Sequence, residues 1–107
     1  MRNISSKRAK ALSISAAVKA RVWERDNHLC VYCHSPNAIP EAHYISRAKG
    51  GLGVEENILT LCRRCHDRYD HGTREEKREM ARRFKEYLNK QYENWNEDEL
   101  IYRRSKC

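Results

Sequence analysis

Four cysteines stand in two C-x-x-C pairs, Cys30/Cys33 and Cys62/Cys65, and His66 follows the last of them directly. Thiolates three residues apart on a tight turn can both reach one tetrahedral ion at about 2.3 Å, and two such turns complete its shell. The pairs predict a structural metal clasp. An iron site of the rubredoxin kind would use the same spacing, but the basic charge and the nearby histidines favour zinc. His66 and Asp70 are four apart, so on a helix both side chains face one way and can share a second ion. An imidazole with a carboxylate suits magnesium, manganese or a late transition metal. His43, facing that ion across a hairpin, could take a proton from water near neutral pH. Both CVYCH and CRRCH also fit the C-x-x-C-H haem-attachment rule. A haem protein would need export, however, and no apolar segment follows the basic start MRNISSKRAKAL. The fifth cysteine, Cys107, reads as a free thiol.

The elements that must position these residues can be placed from local signals. Ser13 or Ser15 can cap a helix running to about Arg25, with Ile14, Val18 and Val22 on one face. Asp26-Asn27 ends it before the first cysteine pair. HSPNAIP carries both prolines and is expected to be neither helix nor central strand. EAHYIS reads as a short strand with Glu41, His43 and Ile45 on one side. RAKGGLG holds three of the four glycines and must turn or approach other backbone closely. VEENILTL returns as a second strand. A short helix then carries His66, Arg68 and Asp70 to Gly72. Thr73-x-x-Glu76 is a capping box opening a long helix to about Tyr92, with a core stripe of Met80, Phe84, Tyr87, Leu88 and Gln91. Glu79/Arg83, Arg82/Glu86 and Glu86/Lys90 are spaced to pair on its outer side.

The chain of 107 residues has room for one core. At 39% hydrophobic and 35% charged residues that core is small, and small cores commonly need a staple. The expected organisation is a flexible basic arm over residues 1–14 and a single domain over 15–107. Its core spans about 28–72, and a helical region follows over 73–107. The formal charge is +7, and four thiolates around one divalent ion lower it to about +5. Arg2, Lys7, Arg8, Lys10, Lys19, Arg21 and Arg25 face a single acid, Glu24, within the first 25 residues. Such an arm suits a polyanion, most simply nucleic acid. Arg47, Lys49, Arg63 and Arg64 could add phosphate contacts. No window is apolar enough to span a membrane, so a reducing cytoplasm is expected, where paired cysteines mean metal more often than disulfide.

The run AHYISRAKGG…EENILTLCRRCH resembles the HNH nucleases, and especially the small phage-encoded members with zinc knuckles. The resemblance covers about residues 15–72. It implies an α+β fold, a ββα-metal (HNH, or His-Me finger) core with a four-cysteine zinc site and flanking helices. His43 matches the general base. Asn57 matches an asparagine that braces the hairpin loop and orients that histidine. His66 matches a metal ligand, and Asp70 falls where many members place another. Ala42 stands where many members carry a ligating Asp or His, so Glu41 or His71 would have to substitute, or water and phosphate complete the shell. The implied activity is metal-dependent hydrolysis of DNA phosphodiesters to 5′-phosphate and 3′-hydroxyl ends. Phosphate contacts position a strand without reading its sequence, so low intrinsic specificity on double-stranded DNA is expected, from a monomer acting in the host cytoplasm if phage-encoded. Packaging beside a terminase, homing or restriction are the roles it suggests. The alternative is a zinc-ribbon DNA-binding module with weak or lost catalysis.

Overall fold

The computed structural model describes residues 6–103; Arg2 and Cys107 lie outside them. Six elements build the domain: α1 (Ser6–Leu12), α2 (Ala16–Arg25), β1 (Ala38–His43), β2 (Ile58–Cys62), α3 (Arg63–His71) and α4 (Arg74–Gln91). β1 and β2 pair antiparallel in a two-stranded sheet. α3 continues directly from β2, so hairpin and helix form the ββα unit implied by the sequence.

Residues 6–12 correct the expected flexible arm. They form α1, and its C-terminal end is docked onto the domain. Leu12 is buried, and the Gly53 amide donates to the Ala11 carbonyl at 3.0 Å. Lys7, Arg8 and Lys10 remain exposed on this helix. α2 starts where Ser15 accepts from the Val18 amide at 3.1 Å, and it buries Val18 and Val22. Its end is sharper than a surface break. Asn27 and His28 take φ of 58° and 61°, turning the chain into the first cysteine pair.

Strand β1 also corrects an expectation, since it begins at Ala38 and includes Pro40. The register runs Ile39↔Leu61 and Ala42↔Leu59, so β1 carries one extra residue between these pairs. A proline fits at such a bulge because its missing N–H breaks no ladder bond. The bulge turns Ala42 into the core, where it is 1% exposed. β2 is buried along its whole length: Leu59 and Leu61 join Met80, Phe84 and Leu88 of α4, while Ile58 joins Val18 and Val22 of α2.

The main core joins Leu59 and Leu61 of β2, Met80, Phe84 and Leu88 of α4, and Cys30, Cys62 and Cys65. Tyr32 and Tyr69 meet Phe84 edge-on at 5.9 and 5.0 Å between ring centres. Gln91, assigned to this stripe from spacing, is exposed. The outer face of α4 pairs Arg82 with Glu86 and Glu79 at 3.1 and 2.7 Å. Arg83 does not pair with Glu79; its guanidinium stacks over Tyr32.

A buried ion pair missed from sequence locks α2 to the sheet. Arg25 donates to the Asp26 carboxylate at 2.7 and 2.9 Å and to the carbonyls of Glu55 and Ile58. Asp26 also accepts from the Thr60 amide and the Tyr87 hydroxyl. With each oxygen satisfied, the desolvation cost of burying the pair is offset.

The capping box at α4 is present as spaced. Thr73 Oγ1 accepts from the Glu76 amide at 3.0 Å, and Glu76 Oε1 accepts from the Thr73 amide at 2.9 Å. Thr73→Ala is expected to cost about 1 kcal/mol, read as a lower urea midpoint at constant slope. An unchanged midpoint would show that the cap contributes nothing. Gly72 ends α3 with extended backbone, φ −77°, and not in a left-handed turn. A Cβ there would meet the Arg68 carbonyl oxygen at 2.3 Å, so close approach explains the glycine.

Candidate active site

The two C-x-x-C turns meet at one point. The four sulfurs of Cys30, Cys33, Cys62 and Cys65 lie within 4.8 Å of one another, and Cys33 and Cys62 are 3.6 Å apart. Four thiolates at about 2.3 Å from one tetrahedral ion would sit about 3.8 Å apart. The cage therefore fits such an ion. Each turn also aims an amide at a sulfur, Cys33 N to Cys30 Sγ at 3.4 Å and Cys65 N to Cys62 Sγ at 3.5 Å. Burial pushes the Cys62 thiol up, but the Cys65 amide and the neighbouring thiols outweigh it and leave its pKa at about 7. Burial raises the Cys65 and Cys33 thiols. Thiols this close resist joint ionisation, and a bound cation removes the conflict.

Seen from the sheet, the second cluster lies in an open cleft of ≈ 1240 Å³ between β1, the glycine turn, α3 and the start of α4. His43, at the end of β1, and His66 and Asp70, on α3, all line it. His66 Nε2 and Asp70 Oδ2 are 3.2 Å apart. Two donors about 2.1 Å from a common ion and a right angle apart would be about 3.0 Å apart, so this pair fits one divalent cation.

His43 is half-buried, and its Nε2 lies 2.9 Å from the Leu12 carbonyl oxygen. A carbonyl can only accept, so Nε2 carries the proton and the neutral ring keeps Nδ1 as its acceptor. Burial lowers the His43 pKa below its ordinary value, and the Leu12 contact only partly opposes this. The ring is therefore neutral at pH 7. The contact comes from α1, which sequence reasoning left as an arm; no local pattern signals a backbone carbonyl 31 residues away.

Asn57 is fully buried behind the cleft. Its Oδ1 accepts from the Ile45 amide at 2.8 Å, and its Nδ2 donates to the carbonyls of Ile45 and Leu52 at 3.1 and 2.9 Å. The side chain thus clamps both ends of the loop that follows His43. Gly51 lets that loop close, because a Cβ would lie 1.6 Å from the Ile45 carbonyl oxygen. Tyr69 donates to the Tyr44 carbonyl at 2.7 Å, tying α3 to the residue after His43.

The remaining candidates divide. Glu41 lines the cleft, but its carboxylate is taken by Lys19 at 3.0 Å. His71 is exposed at the end of α3 on the cleft wall. Neither joins His66 and Asp70: among the described residues, the four cysteines are the one convergent group of three or more His, Cys, Asp or Glu donors. Asp70 pairs with His66, while Arg68 reaches Glu76 at 3.5 Å. Arg47 and Lys49 line the cleft on a 3-10 turn; Arg63 and Arg64 are exposed on the first turn of α3, outside the cleft wall.

A hairpin with a histidine at its edge, followed by a helix bearing a histidine and a carboxylate, is consistent with a small ββα fold of the HNH kind. The family model of the HNH endonuclease matches residues 30–72, from the first knuckle to the end of α3, and the cysteine cluster in this segment is consistent with the zinc-binding type of that family. Nucleases of this family use divalent metals and act on DNA. No match was found among curated proteins or among solved structures. No described helix is long and apolar enough to cross a membrane.

Proposed function

We propose that this protein is a metal-dependent endonuclease that hydrolyses DNA phosphodiesters, with His43 as general base and His66 and Asp70 as ligands of the catalytic ion. The observation that carries the reading is the His43 ring, neutral and fixed by Leu12, in one cleft with the His66/Asp70 pair. Nδ1 of His43 takes the proton from the attacking water. Asn57 and Tyr69 hold the loop and helix on either side so that base and ligands keep their spacing. A divalent ion, when bound, supplies Lewis-acid stabilisation of the phosphate and of the departing 3′-oxygen. The expected products carry 5′-phosphate and 3′-hydroxyl ends. Zinc is the proposed occupant of the cysteine cage, where it shapes the domain without meeting substrate. Lys7, Arg8, Lys10, Arg47, Lys49, Arg63 and Arg64 are proposed phosphate contacts, which position a strand without reading its sequence.

Ala42 faces the core and offers no donor, so two side chains hold the catalytic ion. Affinity for that ion should then be modest and sensitive to either ligand. In plasmid nicking with magnesium, manganese or nickel, His66→Ala and Asp70→Ala are each expected to raise the half-saturating metal at least tenfold, about the loss caused by outer-shell changes alone. An unchanged metal requirement in both variants would remove them from the ligand set. DNA binding without nicking in any metal would favour the non-catalytic zinc-ribbon module.

A further inference from the structure

Helix α4 carries two stripes. Met80, Phe84 and Leu88 face the core. Arg74, Lys77, Arg78 and Ala81, spaced three, one and three residues apart, line the same cleft as His43, His66 and Asp70. That spacing is one continuous helix face. The three basic side chains are exposed, and among the described residues none forms an ion pair. Three of the four acids of the same helix are engaged elsewhere, Glu76 by Thr73 and Arg68, Glu79 and Glu86 by Arg82, and the fourth, Glu75, lies outside the cleft lining.

Arg74 and Lys77 stand at i,i+3 and Arg74 and Arg78 at i,i+4, and like charges at these spacings repel. An anion on this face relieves that repulsion. Arg47 and Lys49 line the cleft from the glycine turn, so a polyanion entering it would be gripped from both sides of His43. Carboxylates that could repel one are held by partners: Glu41 by Lys19, Asp70 by His66, and Glu97 by Tyr44 and Lys85. Asp98 has no such partner among the described residues.

We infer that Arg74, Lys77 and Arg78 of α4 form the second wall of the substrate cleft and bind consecutive phosphates of a DNA strand beside the cleavage point. The inference rests on the reading of this cleft as a DNA-cleaving site. Residues 74 to 78 span about 6 Å of helix axis, and one strand presents a phosphate every 3.4 Å or so along its axis, so the face covers two to three phosphates.

The test measures binding of a short fluorescein-labelled duplex by anisotropy over a salt series, in the His43→Ala background without added divalent metal. The combined variant Arg74→Gln/Lys77→Gln/Arg78→Gln is expected to flatten the slope of log affinity against log salt by about two to three. Its melting temperature should not fall, because the removed charges are exposed, form no ion pair among the described residues and repel one another. Lys90→Gln, at the far end of α4, should leave the slope unchanged. An unchanged slope in the combined variant, an equal loss in Lys90→Gln, or no duplex binding by the parent overturns the inference. If the combined variant fails to fold, Arg78→Gln alone should flatten the slope by about 0.9, and an unchanged slope there overturns it equally. Nicking by the otherwise unsubstituted chain is scored separately. Flattened slopes without nicking sink the catalytic reading alone, and nicking with unchanged slopes sinks this inference alone.

Discussion

His43→Ala is expected to lower the rate of DNA cleavage by about 10²–10⁴-fold, the usual worth of a positioned general base, while leaving the fold and duplex binding in place. The ring is half-buried at the end of β1 and anchored through Nε2 to Leu12, so its removal deletes a proton acceptor and one hydrogen bond but no core side chain. The pH dependence follows from the same surroundings. Burial lowers the His43 pKa from 6.5, so the cleavage rate should rise with pH through a value below 6.5 and be level at neutrality. The sign for stability agrees. Folding favours the neutral ring, so its contribution is complete above 6.5 and is lost as pH falls through and below that value. Plasmid nicking of both proteins across pH 5 to 8, roughly the window of histidine titration, checks both points. Equal nicking by the two, or an acid limb above 6.5 in the parent, would exclude His43 as the base.

Legibility in the sequence followed the range of each signal. The cysteine pairs, the capping box at Thr73 and the Met80/Phe84/Leu88 stripe depend on fixed short spacings, and each stands in the structure where those spacings put it. The strand at β1 was displaced because its register turns on a bulge, and the bulge reconciles Pro40 with a ladder that proline rules alone would forbid. α1 was hidden because its seven residues are mostly small or basic. Its place is set by Gly53 and His43, distant in sequence and bonded to backbone oxygens that carry no residue signature. Arg25 and Asp26 read as a helix end, since no pattern tells a solvated charge pair from a buried one. The same limit concealed Arg74, Lys77 and Arg78. An exposed helix face looks alike in sequence whether it meets bulk water or the wall of a cleft.

Removal of the ion from the cysteine cage is expected to abolish cooperative folding. In zinc-finger peptides structural zinc supplies about 10–16 kcal/mol of apparent binding energy at neutral pH, and that energy is folding energy. A domain of this size commonly has a net stability of about 5–15 kcal/mol. Loss of the ion thus removes as much as the whole domain has to lose, and the placement of the cage leaves little to compensate. Cys30, Cys62 and Cys65 are themselves members of the main core with Met80, Phe84 and Leu88. Cys62 also ends β2, opposite Ala38, and caps α3 by accepting from the Cys65 amide. One bound ion would therefore fix the first knuckle, the sheet register and the start of the helix that carries His66 and Asp70. Without it, four thiols would share one pocket with nothing to join the two knuckles, and hairpin and helix would separate. Metal analysis of the purified protein should find about one zinc per chain. Stripping that zinc under reducing conditions should erase the cooperative thermal transition and the cleavage activity together. One equivalent of zinc should restore the transition, and magnesium should not, because thiolates select the softer ion. A metal-free protein, verified by analysis, that melts at the temperature of the loaded one would refute the clasp and, with it, the means by which His43 is held opposite His66 and Asp70.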